Sequence, residues 1–175
     1  KIDRRMKPHP PAIRVAGQVV ISNVRIQYPY DGIVFSNVTE NGRSNVENVF
    51  IVSPGNDGVV VTMTHDIATL RNVEVWCNVG FSKGAGFRFG HNDEVHGSRL
   101  LAFQCQTAFE FYDEPKKTGK GERAGTYGSF VHCNGDACSE GIKVNGWAKL
   151  NFVAGHSWIH HGGFVIDHPK ADVKI

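Results

Sequence analysis

The stretch Gly86-Phe87-Arg88-Phe89-Gly90 decides the fold, because variants of it recur along the whole chain. A small residue followed by an apolar, a variable and a second apolar residue is typical of a short strand with one buried side, entered through a turn. Recurrence at a loose period of roughly 20 to 35 residues is the signature of a repeat architecture. The six occurrences cover residues 32–35, 58–61, 86–89, 108–111, 141–144 and 163–166.

A second short apolar motif precedes the first one in each repeat, as in Asn48-Val49-Phe50-Ile51. Each repeat therefore supplies at least two short strands, which bury an apolar side only when one repeat stacks on the next. No stretch of ten or more residues has the apolar period of a helix. We therefore predict an all-β chain, a parallel β-solenoid of about six coils over residues 15–168.

The composition fits one folded domain with many turns. The chain has 175 residues, 41% of them hydrophobic, and its net charge of +2 is too small to indicate nucleic-acid binding. No apolar run is long enough to span a membrane, so membrane insertion is not expected. Residues 1–14 are basic and contain three prolines; we interpret them as an extended arm or cap, or else as a basic arm for an acidic partner. Residues 169–175 are expected to begin a further segment or to be a truncated end, because no capping unit closes the solenoid there.

Three of the four cysteines are evenly spaced. Cys77, Cys105 and Cys133 each follow the upstream strand of their repeat, so stacking is expected to place them next to one another. Free cysteine behaves as a small apolar residue, and we interpret the three as a ladder of buried side chains. A disulfide that closes the small loop between Cys133 and Cys138 is the alternative. The spacing is not typical of a zinc site, and neither a metal site nor a cofactor is predicted.

The middle residue of the recurring strand is expected to point outward in every coil. The charged members of this column fall on consecutive coils and alternate in sign. One interpretation is ordinary pairing of opposite charges across neighbouring strands. The other is a site in which Arg88 and Lys143 hold an acidic sugar beside the Glu110 carboxylate. The full column is Val34, Val60, Arg88, Glu110, Lys143 and Val165.

A long basic loop, residues 113–126, marks a further candidate site, because long loops in compact domains are often functional. Tyr112 and Asp113 stand at its entrance. Glycoside hydrolysis needs two carboxyl groups, one as acid and one as base or nucleophile, close to the sugar. The other acidic residues near this entrance are Asp93, Glu94 and Glu114.

Asp31 and Asp57 precede the turn glycines of adjacent coils, and stacking would bring their carboxylates near the separation used by a retaining glycosidase. Asp-Gly is also an ordinary turn sequence, and we favour that interpretation. Trp147 is expected to be exposed as a stacking platform for a sugar ring, whereas Trp76 is expected in the core. The histidines are interpreted as surface or turn residues rather than as a metal cluster.

The two repeated motifs, as in Asn48-Val49-Phe50-Ile51 and Gly58-Val59-Val60-Val61, resemble those of right-handed parallel β-helix proteins of the pectate-lyase-like superfamily. The resemblance covers about residues 15–168 and implies a right-handed solenoid. That superfamily includes pectin-degrading lyases and hydrolases, and also bacteriophage tailspikes and appendage proteins that bind or cut bacterial surface glycans. The sequence lacks the clustered aspartates of the pectin hydrolases and the calcium-binding aspartates, with an arginine base, of the pectate lyases.

Apolar residues in the outer columns favour the tailspike group, because three β-helices lying side by side would cover them. We therefore predict a segment of a bacteriophage tailspike or appendage protein, a homotrimer of the virion or the extracellular space. Its expected partners are a bacterial surface glycan and other virion proteins. A stand-alone polysaccharide lyase or glycoside hydrolase, and a structural stalk without a site, are the alternatives. If the chain cleaves the glycan, the predicted catalytic residues are Glu110 and Asp113, and the predicted binding residues are Arg88, Lys143, Tyr112 and Trp147.

Overall fold

The computed structural model describes residues 8–35, 43–78, 82–112 and 125–175, the side chains of His65 and of residues 156–162 excepted. Every regular element in these ranges is a β-strand, and they contain no helix long and apolar enough to cross a membrane. The strands, in chain order, are β1 (Ile13–Val15), β2 (Val20–Gln27), β3 (Ile33–Phe35), β4 (Asn45–Val52), β5 (Val59–Val61), β6 (Thr64–Trp76), β7 (Ala85–Phe89), β8 (Asn92–Phe103), β9 (Thr107–Phe111), β10 (Thr126–Val131), β11 (Asn134–Val144), β12 (Ala148–Val153), β13 (His156–Ile166) and β14 (Asp172–Lys174).

The described strands pair in parallel and stack into a β-solenoid of about five turns, close to the predicted six, so the predicted fold class is confirmed. The solenoid has three faces. Face 1 consists of β1, β3, β5, β7 and β9 and the second halves of β11 and β13. Face 2 consists of the first halves of β2, β4, β6 and β8, followed by β10, β12 and β14. Face 3 consists of the second halves of β2, β4, β6 and β8 and the first halves of β11 and β13.

The asparagine that opens the second motif forms the corner between faces 2 and 3. Asn23, Asn48 and Asn72 have φ angles of 56°, 52° and 52°, in the left-handed region that asparagine tolerates better than most residues. Asn48 Nδ2 donates a hydrogen bond to Asn23 Oδ1 at 3.3 Å, and Asn72 Nδ2 donates to Asn48 Oδ1 at 2.9 Å. The recurring asparagine therefore both turns the chain and links successive coils.

This corner keeps its place in the stack in the later coils, but asparagine no longer forms it. Arg99, His132 and Ala154 have the positive φ angles there, in register with Asn72. Ser129 and Asn151, which open the second motif in the last two repeats, are register partners on face 2. The last two repeats thus contribute that motif to a different face from the earlier ones.

The core changes from mainly aliphatic to mainly aromatic side chains along the solenoid. Phe87 stacks on Phe109 with ring centroids 5.2 Å apart, and Phe130 stacks on Phe152 at 4.8 Å. The small residue at the start of the first motif is a requirement of this packing, because a Cβ on Gly58 would overlap side-chain atoms across the core. The recurring glycine therefore allows opposite faces to approach closely.

A disulfide joins Cys77 to Cys105 in adjacent coils, with the Cα atoms 4.9 Å apart. Cys133 and Cys138 are buried free thiols, and burial raises the pKa of Cys133 to about 11. The predicted ladder of free cysteines is therefore wrong, since two of its members are bonded to each other. The alternative bridge between Cys133 and Cys138 is not formed.

Cys138, and not the predicted Cys133, stacks next to Cys105, because the Ser139 backbone N–H donates to the Cys105 carbonyl. The first half of β11 pairs with β8 and its second half with β9 at one constant offset, with Asn134 opposite Leu101 and Glu140 opposite Thr107. This register puts Cys138 opposite Cys105, and it puts Cys133, one residue before Asn134, opposite Leu100. The even spacing in the sequence does not carry over to the stack, because the motif that precedes Cys133 lies on face 2 and not on face 3.

Candidate functional site

The charged column predicted from the sequence lies on face 1. Arg88, Glu110 and Lys143 are register partners on consecutive coils. Each is half-buried between buried neighbours in its strand. Val60 precedes Arg88 in this column, and Val165 follows Lys143. The predicted order of the outward column is therefore confirmed.

Arg88 connects three neighbouring side chains. Its Nη1 lies 3.3 Å from Asp57 Oδ2, and its Nε lies 3.1 Å from Glu110 Oε2, an ion pair whose angle is not that of a hydrogen bond. Its Cζ lies 4.5 Å from the centre of the Tyr112 ring, a cation–π contact. Burial by itself lowers the pKa of Arg88, but the Asp57 and Glu110 carboxylates outweigh burial and raise it. The structure thus brings together three of the predicted site residues around a permanently charged guanidinium.

Asp57 is the buried carboxylate partner of Arg88. Its side chain is 4% exposed, and its Oδ1 accepts a hydrogen bond from the Ala85 backbone N–H at 2.8 Å. Burial raises the pKa of Asp57, against the opposing effects of the Ala85 bond and of Arg88. Asp31 Oδ1 accepts a bond from the Asp57 backbone N–H at 3.1 Å. These bonds tie both aspartates into their turns and favour the turn interpretation over a catalytic pair.

The Glu110 carboxylate has a partner at each oxygen. Oε1 accepts a hydrogen bond from Asn145 Nδ2 at 3.2 Å, and Oε2 faces Arg88. The side chain is 19% exposed, so a fixed carboxylate still offers lone pairs to a ligand hydroxyl. Asp113, its predicted catalytic partner, lies outside the described residues. A catalytic role for Glu110 and Asp113 therefore stays a prediction.

Lys143 pairs with Glu140 in its own strand. Its Nζ lies 3.0 Å from Glu140 Oε2, and Thr107 Oγ1 donates to the same oxygen at 2.8 Å. Burial raises the pKa of Glu140, but the hydrogen bonds from Thr107 and Lys143 outweigh it and lower the pKa. The predicted ion pair between neighbouring strands is therefore formed by Arg88, whereas Lys143 forms its ion pair within its own strand. Both cations of the column have a carboxylate partner, which reduces the positive potential that they offer to an acidic sugar.

Trp76 is 41% exposed on face 3, so its predicted place in the core is wrong. Its ring packs between Phe50, at 5.2 Å, and Phe103, at 5.3 Å. The physical reason is alternation along the strand: Val75 points into the core, and the residue after it therefore points outward. The three rings form an aromatic row on the outside of face 3.

Trp147 lies at the corner that leads from face 1 to face 2. It is half-buried, and its ring packs against Tyr127 with centroids 4.9 Å apart and planes at 72°. Tyr127 is 46% exposed. The more accessible ring at this corner is therefore Tyr127, with Trp147 against it, and a sugar-binding role for Trp147 stays a prediction.

A groove of about 440 Å³ runs over face 2 beside this aromatic pair. Most of its polar lining comes from outward side chains of three neighbouring strands, separated by one inward residue in each strand, and Glu94 of β8 completes it. Of these side chains only Glu94 is a candidate from the sequence, although the alternation is visible in each strand separately. The outward side chains of the three strands are Tyr127 and Ser129 of β10, Lys149 and Asn151 of β12, and Asp172 and Lys174 of β14.

Within the ranges that the structure covers, no group of three or more His, Cys, Asp or Glu side chains is arranged to hold a metal ion. Comparison with protein-family models, with curated proteins and with solved structures finds no match in any of the three. What the chain does is therefore inferred from its fold and from the side chains on its faces.

Proposed function

We propose that this chain is a segment of a bacteriophage tailspike or appendage protein whose β-helix binds a bacterial surface polysaccharide. The observation that carries the proposal is the fixed polar row on face 1, in which Glu110 is held between Arg88 and Asn145. Sugar hydroxyls both donate and accept hydrogen bonds, and this row places a carboxylate acceptor beside guanidinium and amide donors. Preorganised groups lose little side-chain entropy when a ligand binds. The resemblance of the repeated motifs to β-helix proteins that act on polysaccharides supports the same function.

Binding is favoured over cleavage by the position of the carboxylates. Hydrolysis of a glycosidic bond needs two carboxyl groups that flank the bond. Asp57 is linked to Glu110 through Arg88, but its side chain is 4% exposed, so it is out of reach of a polymer on face 1. In the enzyme alternative, Asp113 is the predicted second carboxyl group.

The proposed assembly is a homotrimer with three solenoids side by side. Face 3 carries the aromatic row of Phe50, Trp76 and Phe103, which a single solenoid leaves in contact with water. Packing against neighbouring solenoids would cover this row. The disulfide between Cys77 and Cys105 agrees with a location in the virion or outside the cell, because disulfides persist in oxidising surroundings.

Affinity electrophoresis in gels that contain surface polysaccharide from candidate host bacteria tests the binding site. Glu110→Gln is expected to weaken binding about tenfold, since it replaces a charged acceptor by a neutral one. Glu47→Gln is the matched control, because Glu47 is also paired with an arginine, Arg71, but lies on face 2. Binding that is unchanged by both Glu110→Gln and Tyr112→Ala would contradict a site on face 1.

Two further measurements separate the alternatives. Light scattering behind a sizing column is expected to give the mass of a trimer, whereas a monomer would favour the stand-alone enzyme. If the chain cleaves the polysaccharide, Glu110→Gln and Asp113→Asn are each expected to abolish turnover. Cleavage that survives both substitutions would show that the predicted catalytic residues are wrong.

A further inference from the structure

We infer that the groove on face 2 is a second subsite of the glycan, and that it takes a neutral pyranose residue with Tyr127 as the stacking platform. This inference rests on the proposed function, because it names a place where the same polysaccharide is held and the class of sugar that it presents there. The groove, about 440 Å³ in volume, opens directly beside the corner that borders face 1.

Tyr127 supplies the flat apolar surface that a pyranose ring needs. Trp147 contacts it edge to face, with planes at 72°, and 46% of Tyr127 remains exposed. An edge-to-face contact fixes the plane of the tyrosine ring without covering it. The C–H groups of a sugar can then pack on this ring, while the sugar hydroxyls reach the polar side chains of the groove.

The charges along the groove are balanced. Lys149 and Lys174 are positive, and Glu94 and Asp172 are negative. The Glu94 carboxylate lies at the edge of the groove, with Oε1 2.7 Å from His96 Nε2. A site for a uronate or a phosphate group is expected to have an excess of cations. A mixture of donors and acceptors without net charge fits the hydroxyls of a neutral sugar instead.

One short corner supports both faces. Asn145 donates a hydrogen bond to Glu110 on face 1, and Trp147, two residues later, packs against Tyr127 on face 2. The segment between β11 and β12 thus positions a polar group of the first site and the aromatic ring of the second. Glu110 and the groove therefore border the same corner, one on each side of the Asn145–Trp147 segment.

Calorimetry with defined oligosaccharides tests the inference. The neutral probes are linear oligomers of glucose, mannose, galactose and N-acetylglucosamine, and the charged probe is oligogalacturonate. We expect at least one neutral probe to bind, and Tyr127→Ala to weaken its binding about tenfold. Tyr127→Phe keeps the ring and should keep the affinity. Asn151→Ala removes an exposed groove side chain without disturbing the core, and should weaken the same probe.

The outcomes distinguish this inference from the proposed function. Preference for oligogalacturonate, failure of every neutral probe to bind, or binding that neither Tyr127→Ala nor Asn151→Ala alters would overturn the inference. If host polysaccharide still binds and depends on Glu110 but not on Tyr127, the proposed function stands and the second subsite is wrong. If host polysaccharide does not bind at all, both are wrong. Circular dichroism of each variant checks that a loss of binding is not a loss of fold.

Discussion

Two of the arginine–carboxylate pairs that link neighbouring coils differ sharply in burial: Arg71–Glu47 on face 2 and Arg88–Asp57 at face 1. The Arg71–Glu47 pair is the closer, at 2.6 Å, but the Arg71 side chain is 63% exposed. The Arg88–Asp57 pair is longer, at 3.3 Å, yet the Asp57 side chain is 4% exposed. Water and salt weaken a surface pair, whereas a buried carboxylate that loses its partner is strongly unfavourable. Burial rather than distance therefore decides how much each arginine contributes.

The largest expected effect comes from Arg88→Met. The substitution leaves Asp57 buried without its cation, and we expect the free energy of unfolding to fall by about 2 to 3 kcal/mol, less than for a fully buried pair because Arg88 is partly exposed. Urea denaturation measures the change. A loss below about 1 kcal/mol would mean that the Arg88–Asp57 pair contributes no more than an exposed surface pair, so that burial does not distinguish it from Arg71–Glu47.

A second substitution sharpens the same point. Asp57→Asn in the Arg88→Met background removes the uncompensated charge and keeps an acceptor for the Ala85 N–H, so it should restore about 1 to 2 kcal/mol. The two single variants and the double variant form a thermodynamic cycle, measured by the same denaturation. Strict additivity of the two effects would show that the groups do not interact.

The pH dependence of stability separates the buried Asp57 carboxylate from the partly exposed Glu140 carboxylate. The pKa of Asp57 is raised from 3.8 on folding, so its contribution is fully present below that pH and is lost as pH rises through the raised pKa. The pKa of Glu140 is lowered from 4.5, so its contribution is present above 4.5 and is lost as pH falls through the lowered pKa. Urea denaturation over about pH 2 to 7 should show the first trend disappear in Asp57→Asn and the second in Glu140→Gln. Identical profiles for both variants and the unmodified chain would contradict these assignments.

The smallest expected effect is that of Arg71→Ala. We expect a loss of less than about 1 kcal/mol at low salt, and less still in concentrated sodium chloride, because exposed pairs are screened. Denaturation at the two salt concentrations checks this. A loss as large as that of Arg88→Met would mean that the short distance, and not burial, sets the strength of these pairs.

The alternation of small, apolar and variable residues was sufficient to predict the column of Arg88, Glu110 and Lys143, because side chains alternate strictly along a strand. The partners of that column were harder to predict. Asp57 lies in a turn, and only the fold places it under Arg88. Glu140 lies in the same strand as Lys143, so pairing across strands, the assumption made from the sequence, chose the wrong carboxylate for that lysine.

Features that depend on turn geometry could not be read from spacing. Cys138 rather than Cys133 lies next to the disulfide, although the sequence spacing of Cys133 is regular. The corner between faces 2 and 3 falls at His132, three residues after the motif begins at Ser129, whereas in the earlier coils it falls on the first residue of the motif. The apolar pattern of the motif is the same before and after a corner, so it does not indicate on which face the strand lies. Periodicity alone therefore predicts stacking more securely than it predicts which face carries a site.

The disulfide described above also has a mechanical consequence. It closes a stretch of chain whose ends are 28 residues apart, and an extended chain spans about 3.4 Å per residue. A tensile load on the two ends of the solenoid would unravel it coil by coil, since each coil contacts only its neighbours. Because of the disulfide, roughly 95 Å of chain between the two cysteines cannot be extended when the solenoid unfolds under load. The oxidised chain is therefore a shorter and less extensible tether than the reduced one, with the inextensible portion located between Cys77 and Cys105.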